Sequence, residues 1–374
     1  MAAPRRRAVR QHVDQTVGMN PQTATAAPGI RTVSRPACAF CGTEGRLLHA
    51  ALTDALYGAP GVWNLRRCAA PDCGLVWLDP YPAAEDLGKV YEGYHTHDPA
   101  PAQAGQSRVR RLIDRLTGSR TRGLADFVQR AYLAHRFGYG RERFTQLQTL
   151  AGVFVHARPT RRADLDFSVM LIPAMPGGRL LDVGCGNGSF IARMHELGWD
   201  VAGTDVDADA VRRARLDSGL DVYEGTLEGA RFPVGSFDVV TLTHVVEHVD
   251  DPVALLAECR RILRPGGRVV ATTPNVESWG HAIFGAAWRG LEPPRHLMLF
   301  SVRTMAVCAR RAGLRITALR TTARGAKFFY LAGQKLAGKK QKPRIAFWFQ
   351  MLEELARPAF PRAAEEIYFV GTKE

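Results

Sequence analysis

From Gly178 onward the chain alternates short β-branched and aliphatic runs with stretches in which apolar positions recur every three or four residues. RLLDVG, WDVAGTD, DVYEGT, FDVVTLT and RVVATTPN have the first character, and SFIARMHELG, ADAVRRARLDSG and PVALLAECRRIL the second. Strands and helices alternating at this spacing predict βαβ units in an α/β fold, doubly wound about a mostly parallel sheet. LRITALRTT and EEIYFVGTK predict two more strands, seven in all, with an insertion at about 324–364 between them. Upstream, GLVWLDPYPAAEDLGKVYEG reads as an apolar strand and a Pro-bounded helix start. Residues 100–164 carry Phe127, Tyr132, Phe137 and Phe144 spaced as on amphipathic helices. The expected organisation is a disordered basic tail over 1–36, a small cysteine-bearing lobe over 37–99, a basic helical linker or cap over 100–164, and the α/β domain over 165–374. No internal repeat of a solenoid kind is present.

The sharpest local signal is LLDVGCGNGSF, with Asp182, Gly184, Gly186 and Gly188 where the first strand turns into its helix. Glycines let the backbone turn sharply and approach a ligand, and the helix N-terminus behind them favours an anionic group. Dinucleotide enzymes use a similar loop, but their third glycine is replaced here by Ser189 and Phe190. Asp182 would also set a negative charge against a pyrophosphate, whereas it suits an ammonium. Asp205 closes the second strand, where an acidic side chain accepts both hydroxyl protons of a ribose. A ribose, an amino-acid-like part and no phosphate describe S-adenosylmethionine.

On these residues, together with Gly203-Thr204-Asp205, Phe237-Asp238-Val239-Val240 and Arg264-Pro265-Gly266-Gly267, the chain resembles the class I S-adenosylmethionine-dependent methyltransferases over roughly 165–322 and the last strand. The resemblance implies a Rossmann-like methyltransferase fold. It also implies that Asp182, Gly184, Cys185 and Gly186 hold the methionine part, that Asp205 and Val206 hold the ribose, that Thr226 and Leu227 contact adenine, and that Thr243 and His244 close over the cofactor. Many relatives place an acid near Gly225 for the adenine amino group, and this chain has Thr226 instead.

Four of the seven cysteines form two pairs, Cys38-x2-Cys41 and Cys68-x4-Cys73, each followed by glycine, Gly42 or Gly74. Thiolates at these spacings chelate metal, and four complete a tetrahedral zinc shell with no open position, hence a structural rather than catalytic ion in a zinc-ribbon-like lobe. Disulfides are the rival reading. A chain with no secretory signal points to a reducing compartment, which weakens it. Cys185, Cys259 and Cys308 lie inside the α/β pattern and read as core.

Composition is ordinary for a globular protein at 46% hydrophobic and 23% charged residues, and no uncharged apolar run approaches the roughly 18 residues that cross a bilayer. The expectation is a cytoplasmic protein. The net charge of +14 is concentrated in flanks: residues 101–163 and 301–374 each carry +10, while 177–300 carry −5. Basic flanks attract nucleic acid, anionic lipid or acidic glycan alike. Within the last flank Ile345, Trp348, Phe349, Leu352 and Leu355 fall at helical spacing behind Lys335, Lys339, Lys340, Lys342 and Arg344. That pattern fits a helix lying on an anionic membrane as a peripheral contact, or one packed on the sheet or on another subunit.

His244-Val-Val-Glu247-His248 matches the H-x-x-E-H pattern of a zinc peptidase class, but it follows the fourth strand, where methyltransferases place cofactor and acceptor contacts. Methyl transfer to a hydroxyl needs alignment and profits from a base, for which His248 and His296 are the candidates, each with the plainer alternative of a histidine bonding backbone. Trp279, His281, Phe284, Trp288 and Arg289 form either a lid or a packed helix. The arrangement resembles bacterial methyltransferases of glycan, lipid or secondary-metabolite modification, and in outline the ubiquinone-type O-methyltransferases, which lack the cysteine lobe. The expected acceptor is accordingly a small molecule, a glycan or a lipid-linked compound. RNA is the rival partner, since some RNA methyltransferases pair a four-cysteine lobe with this domain; DNA is not expected.

Overall fold

The computed structural model describes residues 29–91, 120–145, 151–157 and 159–374. The N-terminal lobe holds β1 (Thr32–Val33), β2 (Gly45–Leu52), β3 (Trp63–Cys68), β4 (Val76–Leu78) and β5 (Tyr81–Pro82), followed by a 3-10 segment, Ala84–Tyr91. Strands β2, β3 and β4 form an antiparallel meander, and β1 pairs with β5. The lobe begins before residue 37. Within the expected tail, Ile30 is buried and Arg31 bonds Asp86 through backbone and side chain, because strand pairing and an ion pair give 30–33 partners that composition does not reveal. The rest of the tail reading, 1–28, and the linker reading at 100–119 lie outside the described residues.

In the linker, α1 (Arg120–Phe137), the 3-10 turn Ala151–Ala157 and α2 (Pro159–Phe167) bury Tyr132, Phe137 and Val155 against the sheet cluster, so this segment is a cap and α2 runs across the expected boundary at 165. The α/β domain then runs β6 (Arg179–Val183), α3 (Ser189–Glu196), β7 (Asp200–Asp205), α4 (Ala208–Ser218), β8 (Val222–Glu224), β9 (Phe237–Thr243), α5 (Pro252–Ile262), β10 (Leu263–Pro274), α6 (Trp279–Phe284), β11 (Met298–Leu299), α7 (Val302–Arg311), β12 (Arg315–Thr322), α8 (Ala326–Leu336), α9 (Pro343–Ala356) and β13 (Glu366–Thr372).

Seven of these strands form one sheet in the order β12-β13-β10-β9-β6-β7-β8, parallel except for the antiparallel β13. The central strands are apolar on both faces because helices cover both, as a parallel sheet requires. Helix starts follow the local chemistry: Asp207 and Asp251 each accept two backbone N–H bonds at the N-termini of α4 and α5, and Ser301 with Thr304 forms a capping box on α7.

The lobe is not a pendant module. Strand β11, which follows the fifth strand of the domain, joins the lobe meander as a fourth strand, pairing Met298 with Trp77 and Leu299 with Val76. Cys38, Phe40, Cys68, Cys73, Leu75 and Trp77 belong to the same apolar cluster as the domain's Phe300, Met305 and Ile367. His49 Nε2 lies 2.9 Å from His281 Nε2, which ties β2 to α6. The aromatic insertion is a packed element rather than an open lid: Trp288 is buried, stacks on His281 and donates to Glu365 at 2.9 Å.

Candidate active site and metal centre

The strands β9, β6, β7 and β8 are neighbours in the sheet, so their carboxyl ends lie side by side, the place where open α/β sheets form a ligand crevice. Gly184, Gly186 and Gly188 all have left-handed φ, and Gly184 tolerates no Cβ, which would stand 2.6 Å from Val245. Asp205 holds this turn: Oδ2 accepts from Gly186 N at 2.8 Å and Oδ1 from Asp207 N at 2.9 Å. Each oxygen keeps a second lone pair, enough for two ribose hydroxyls. Asp182 is buried and, among the described residues, accepts only the Thr241 hydroxyl, at 2.6 Å. Burial pushes its carboxyl up to about 7, with Asp205 adding to the rise and Thr241 opposing it. A buried carboxyl short of a positive partner fits the ammonium end of S-adenosylmethionine.

Because the Asp182 carboxyl is raised in the free protein, an ammonium ligand binds its ionised form and must first displace the proton below that value. S-adenosylmethionine affinity is expected to rise by about tenfold per pH unit up to about 7 and flatten above it, and Asp182→Asn is expected to abolish the dependence. Calorimetry across that range checks it; a flat profile in the wild-type protein contradicts it.

The other residues of the expected cofactor set are placed as follows. Val206 is 70% exposed at the crevice rim. Cys185 turns its sulfur under β7, where a Cβ on Gly203 would stand 2.7 Å from it, so only its backbone faces the crevice. Leu227 is in the core, and Thr226 accepts from Gly229 N at 3.1 Å, which leaves this segment's backbone to meet a base. Thr243 donates to Met170 Sδ at 3.6 Å.

His244 has φ 55°, a left-handed conformation unusual for a side-chain-bearing residue and of a kind that gathers at functional sites. Its Nδ1 meets Glu247 at 3.1 Å and its Nε2 meets Glu366 at 2.7 Å. Burial disfavours its charge, but the two carboxylates outweigh it and raise the imidazole to about 10. With both ring nitrogens bonded, His244 is not a peptidase-type zinc ligand. Glu247, fully buried, also accepts the Thr273 hydroxyl at 2.9 Å.

Beside it, His248 and His296 stand edge to face with ring centres 4.7 Å apart. His296 Nδ1 bonds the Gly290 carbonyl at 2.7 Å; a carbonyl only accepts, so the ring proton is on Nδ1 and Nε2 keeps its lone pair. Burial lowers His296 to about 4 against the pull of Glu292, and burial likewise lowers His248. Both rings are therefore neutral bases at pH 7. His248 Nδ1 faces the hydroxyl of Tyr91 at 3.1 Å.

Tyr91, Glu292 and Glu366 contact these histidines, a grouping that spacing alone does not reveal. Tyr91 lies in the Tyr-rich end of the lobe, far from His248 in sequence. Glu366 opens an otherwise apolar strand, which is the one local hint of a function for it. The lobe reaches the site through Arg295, which is fully buried, pairs with Asp54 at 2.9 Å and Glu292 at 3.0 Å, and donates to the Val90 carbonyl at 3.1 Å.

The four expected metal ligands do converge. Cys38 and Cys73 sulfurs lie 3.6 Å apart, Cys41 and Cys68 sulfurs 3.3 Å apart, and all four fall within 4.8 Å of one another. Tetrahedral zinc with bonds of about 2.3 Å has sulfur–sulfur edges of about 3.8 Å, so the donor set fits that ion. Gly42 and Gly74 have φ of +72° and +75°, and the Phe40 amide points at Cys38 Sγ at 3.4 Å. No disulfide links cysteines among the described residues.

A parallel sheet with one antiparallel strand in this order, a three-glycine turn and an acid closing the second strand define a class I methyltransferase fold. A family profile described as "Methyltransferase domain" matches residues 153–319. A ubiquinone biosynthesis O-methyltransferase of Bordetella avium is 34% identical over 170 residues, which is 42% of this chain and 70% of that protein. One of Cereibacter sphaeroides (strain ATCC 17025) is 43% identical over 132 residues, 33% of this chain and 53% of that protein. This chain thus spans about half the length of several of the curated relatives it matches. A solved S-adenosylmethionine-dependent methyltransferase from Mesorhizobium loti is 18% identical, covers 56% of this chain and 98% of its own, and superposes with a TM-score of 0.41. The chain belongs to the class I S-adenosylmethionine-dependent methyltransferase family.

Proposed function

We propose that this chain transfers the methyl group of S-adenosylmethionine to a hydroxyl of a small-molecule, glycan or lipid-linked acceptor, and that the four cysteines hold a structural zinc ion. The observation that carries the acceptor chemistry is the pair of neutral imidazoles, half-buried His248 and buried His296, beside the end of β9. The names of the curated relatives, O-methyltransferases, agree with a hydroxyl acceptor.

The bound sulfonium supplies an activated methyl group open to in-line displacement. Asp182 anchors the ammonium end of the donor and Asp205 its ribose, and the left-handed glycines bring the backbone against it. His248, half-buried and so more open than His296, is the base: its Nδ1 lone pair takes the hydroxyl proton as the oxygen attacks, with Tyr91 handing that nitrogen over to the acceptor. The C–S bond breaks as the C–O bond forms, and the proton ends on His248. Glu247 and Glu292 both favour its charged form, so the imidazolium that results is stabilised where it forms.

A positioned base contributes roughly 10² to 10⁴ in rate. His248→Ala is expected to lower turnover by about 10² and His296→Ala by at least about tenfold, with S-adenosylmethionine affinity near wild type in both. Methyl-transfer kinetics beside calorimetry checks this; unchanged turnover in both variants removes the histidines from the chemistry.

A further inference from the structure

Helix α9 turns its polar side inward. Glu353, Glu354 and Gln350 are buried with Ala346 and Phe349, while Ile345, Trp348, Leu352 and Leu355 form a continuous outward stripe at three- and four-residue spacing, 45–68% exposed. Phe328 of α8 is exposed as well. Single exposed apolar residues are ordinary, but a contiguous stripe marks a contact surface. Within the insertion the exposed charges beside this stripe have one sign. Lys339, Lys340, Lys342 and Arg344, all exposed, lead into the helix, and the only two acids between 324 and 364 are the inward Glu353 and Glu354.

We propose that the α8–α9 insertion docks on an anionic phospholipid bilayer, with Trp348, Leu352 and Leu355 entering the boundary between headgroups and acyl chains and Lys339, Lys340 and Lys342 meeting lipid phosphates. Charge complementarity selects this occupant. A shallow apolar insertion and a polybasic patch are the two signals that together hold a protein at an anionic surface, where each Lys or Arg contributes about 1 kcal/mol. A second copy across a two-fold axis would set this cationic rim against itself, because such an interface apposes identical patches. RNA would use the lysines but has no need of the aliphatic stripe. The insertion also leads into the site: β13, which follows it, begins at Glu366, the partner of His244 Nε2. An acceptor held in the bilayer would then be presented toward the carboxyl end of β9, where the histidines lie.

The test is flotation of the full-length protein with vesicles of phosphatidylcholine and phosphatidylglycerol in a two-to-one ratio, beside vesicles of phosphatidylcholine alone. The protein is expected to float with the anionic vesicles and not with the neutral ones. Trp348→Glu/Leu352→Glu and Lys339→Glu/Lys340→Glu/Lys342→Glu are each expected to weaken partitioning by about tenfold or more. Both variants alter exposed residues, so their melting temperature and S-adenosylmethionine affinity are expected to match wild type. Absence of flotation at low salt overturns the proposal. So does equal flotation of the Trp348→Glu/Leu352→Glu variant, or a wild-type dimer that this variant converts to monomer, since the stripe would then belong to a second copy.

Discussion

Cys38→Ser is expected to release the metal and lower the melting temperature of the whole chain by roughly 10 °C, the shift that a loss on the order of 4 kcal/mol produces in a domain of about this size. Structural zinc sites in small finger peptides have apparent energies of about 10 to 16 kcal/mol, so this figure is a lower expectation. The effect should spread beyond the lobe, because Cys38, Cys68 and Cys73 share one apolar cluster with the domain, and β11 is a strand of the lobe sheet although it belongs to the domain by sequence. Transfer activity should fall with stability, since Tyr91 approaches His248 from the lobe and Arg295 joins Asp54 to Glu292. Metal analysis and thermal unfolding of the wild-type and variant proteins check the expectation. Far less than one zinc per chain in the wild type, with an unchanged melting temperature in the variant, contradicts it.

Asp205→Ala is expected to weaken S-adenosylmethionine binding by about 10² to 10³. Two hydrogen bonds from ribose hydroxyls to a carboxylate account for about 3 to 4 kcal/mol of that. The variant also removes the acceptor that holds the Gly186 and Asp207 amides, so the glycine turn loses its brace along with the ligand. Asp205→Asn keeps one acceptor oxygen and should fall between the two. Calorimetric titration settles the point: an alanine variant within threefold of wild type would mean that Asp205 shapes the turn without touching the ligand.

The fold of the α/β domain was legible because each strand and helix has its own period, and the glycine turn and Asp205 were legible because their residue types permit few alternatives. The cysteine pairs were readable for the same reason, since thiolates at those spacings have few uses. What could not be read depends on long-range pairing. Two apolar residues, Met298 and Leu299, become a strand only because the β4 edge is available beside them. Residues 30–33 become ordered only because Asp86 and Tyr81–Pro82 wait far along the chain. The partners of His244 are illegible for a similar reason: Glu247 is three residues away but Glu366, which engages its other ring nitrogen, comes from the last strand. In α9 the hydrophobic period was plain, yet the period could not say which face turns inward. Packing put Glu353 and Glu354 inside and left Trp348 and Leu355 outside.

The proposed transfer of a methyl group from S-adenosylmethionine to a small-molecule, glycan or lipid-linked hydroxyl is checked by following a labelled methyl group into a fractionated cell extract, with a parallel sample treated with RNase. The label is expected to resist RNase, to follow the small-molecule, glycan or lipid fraction, and to be lost with His248→Ala. Label that RNase removes would contradict it, and would make the basic flanks a track for RNA.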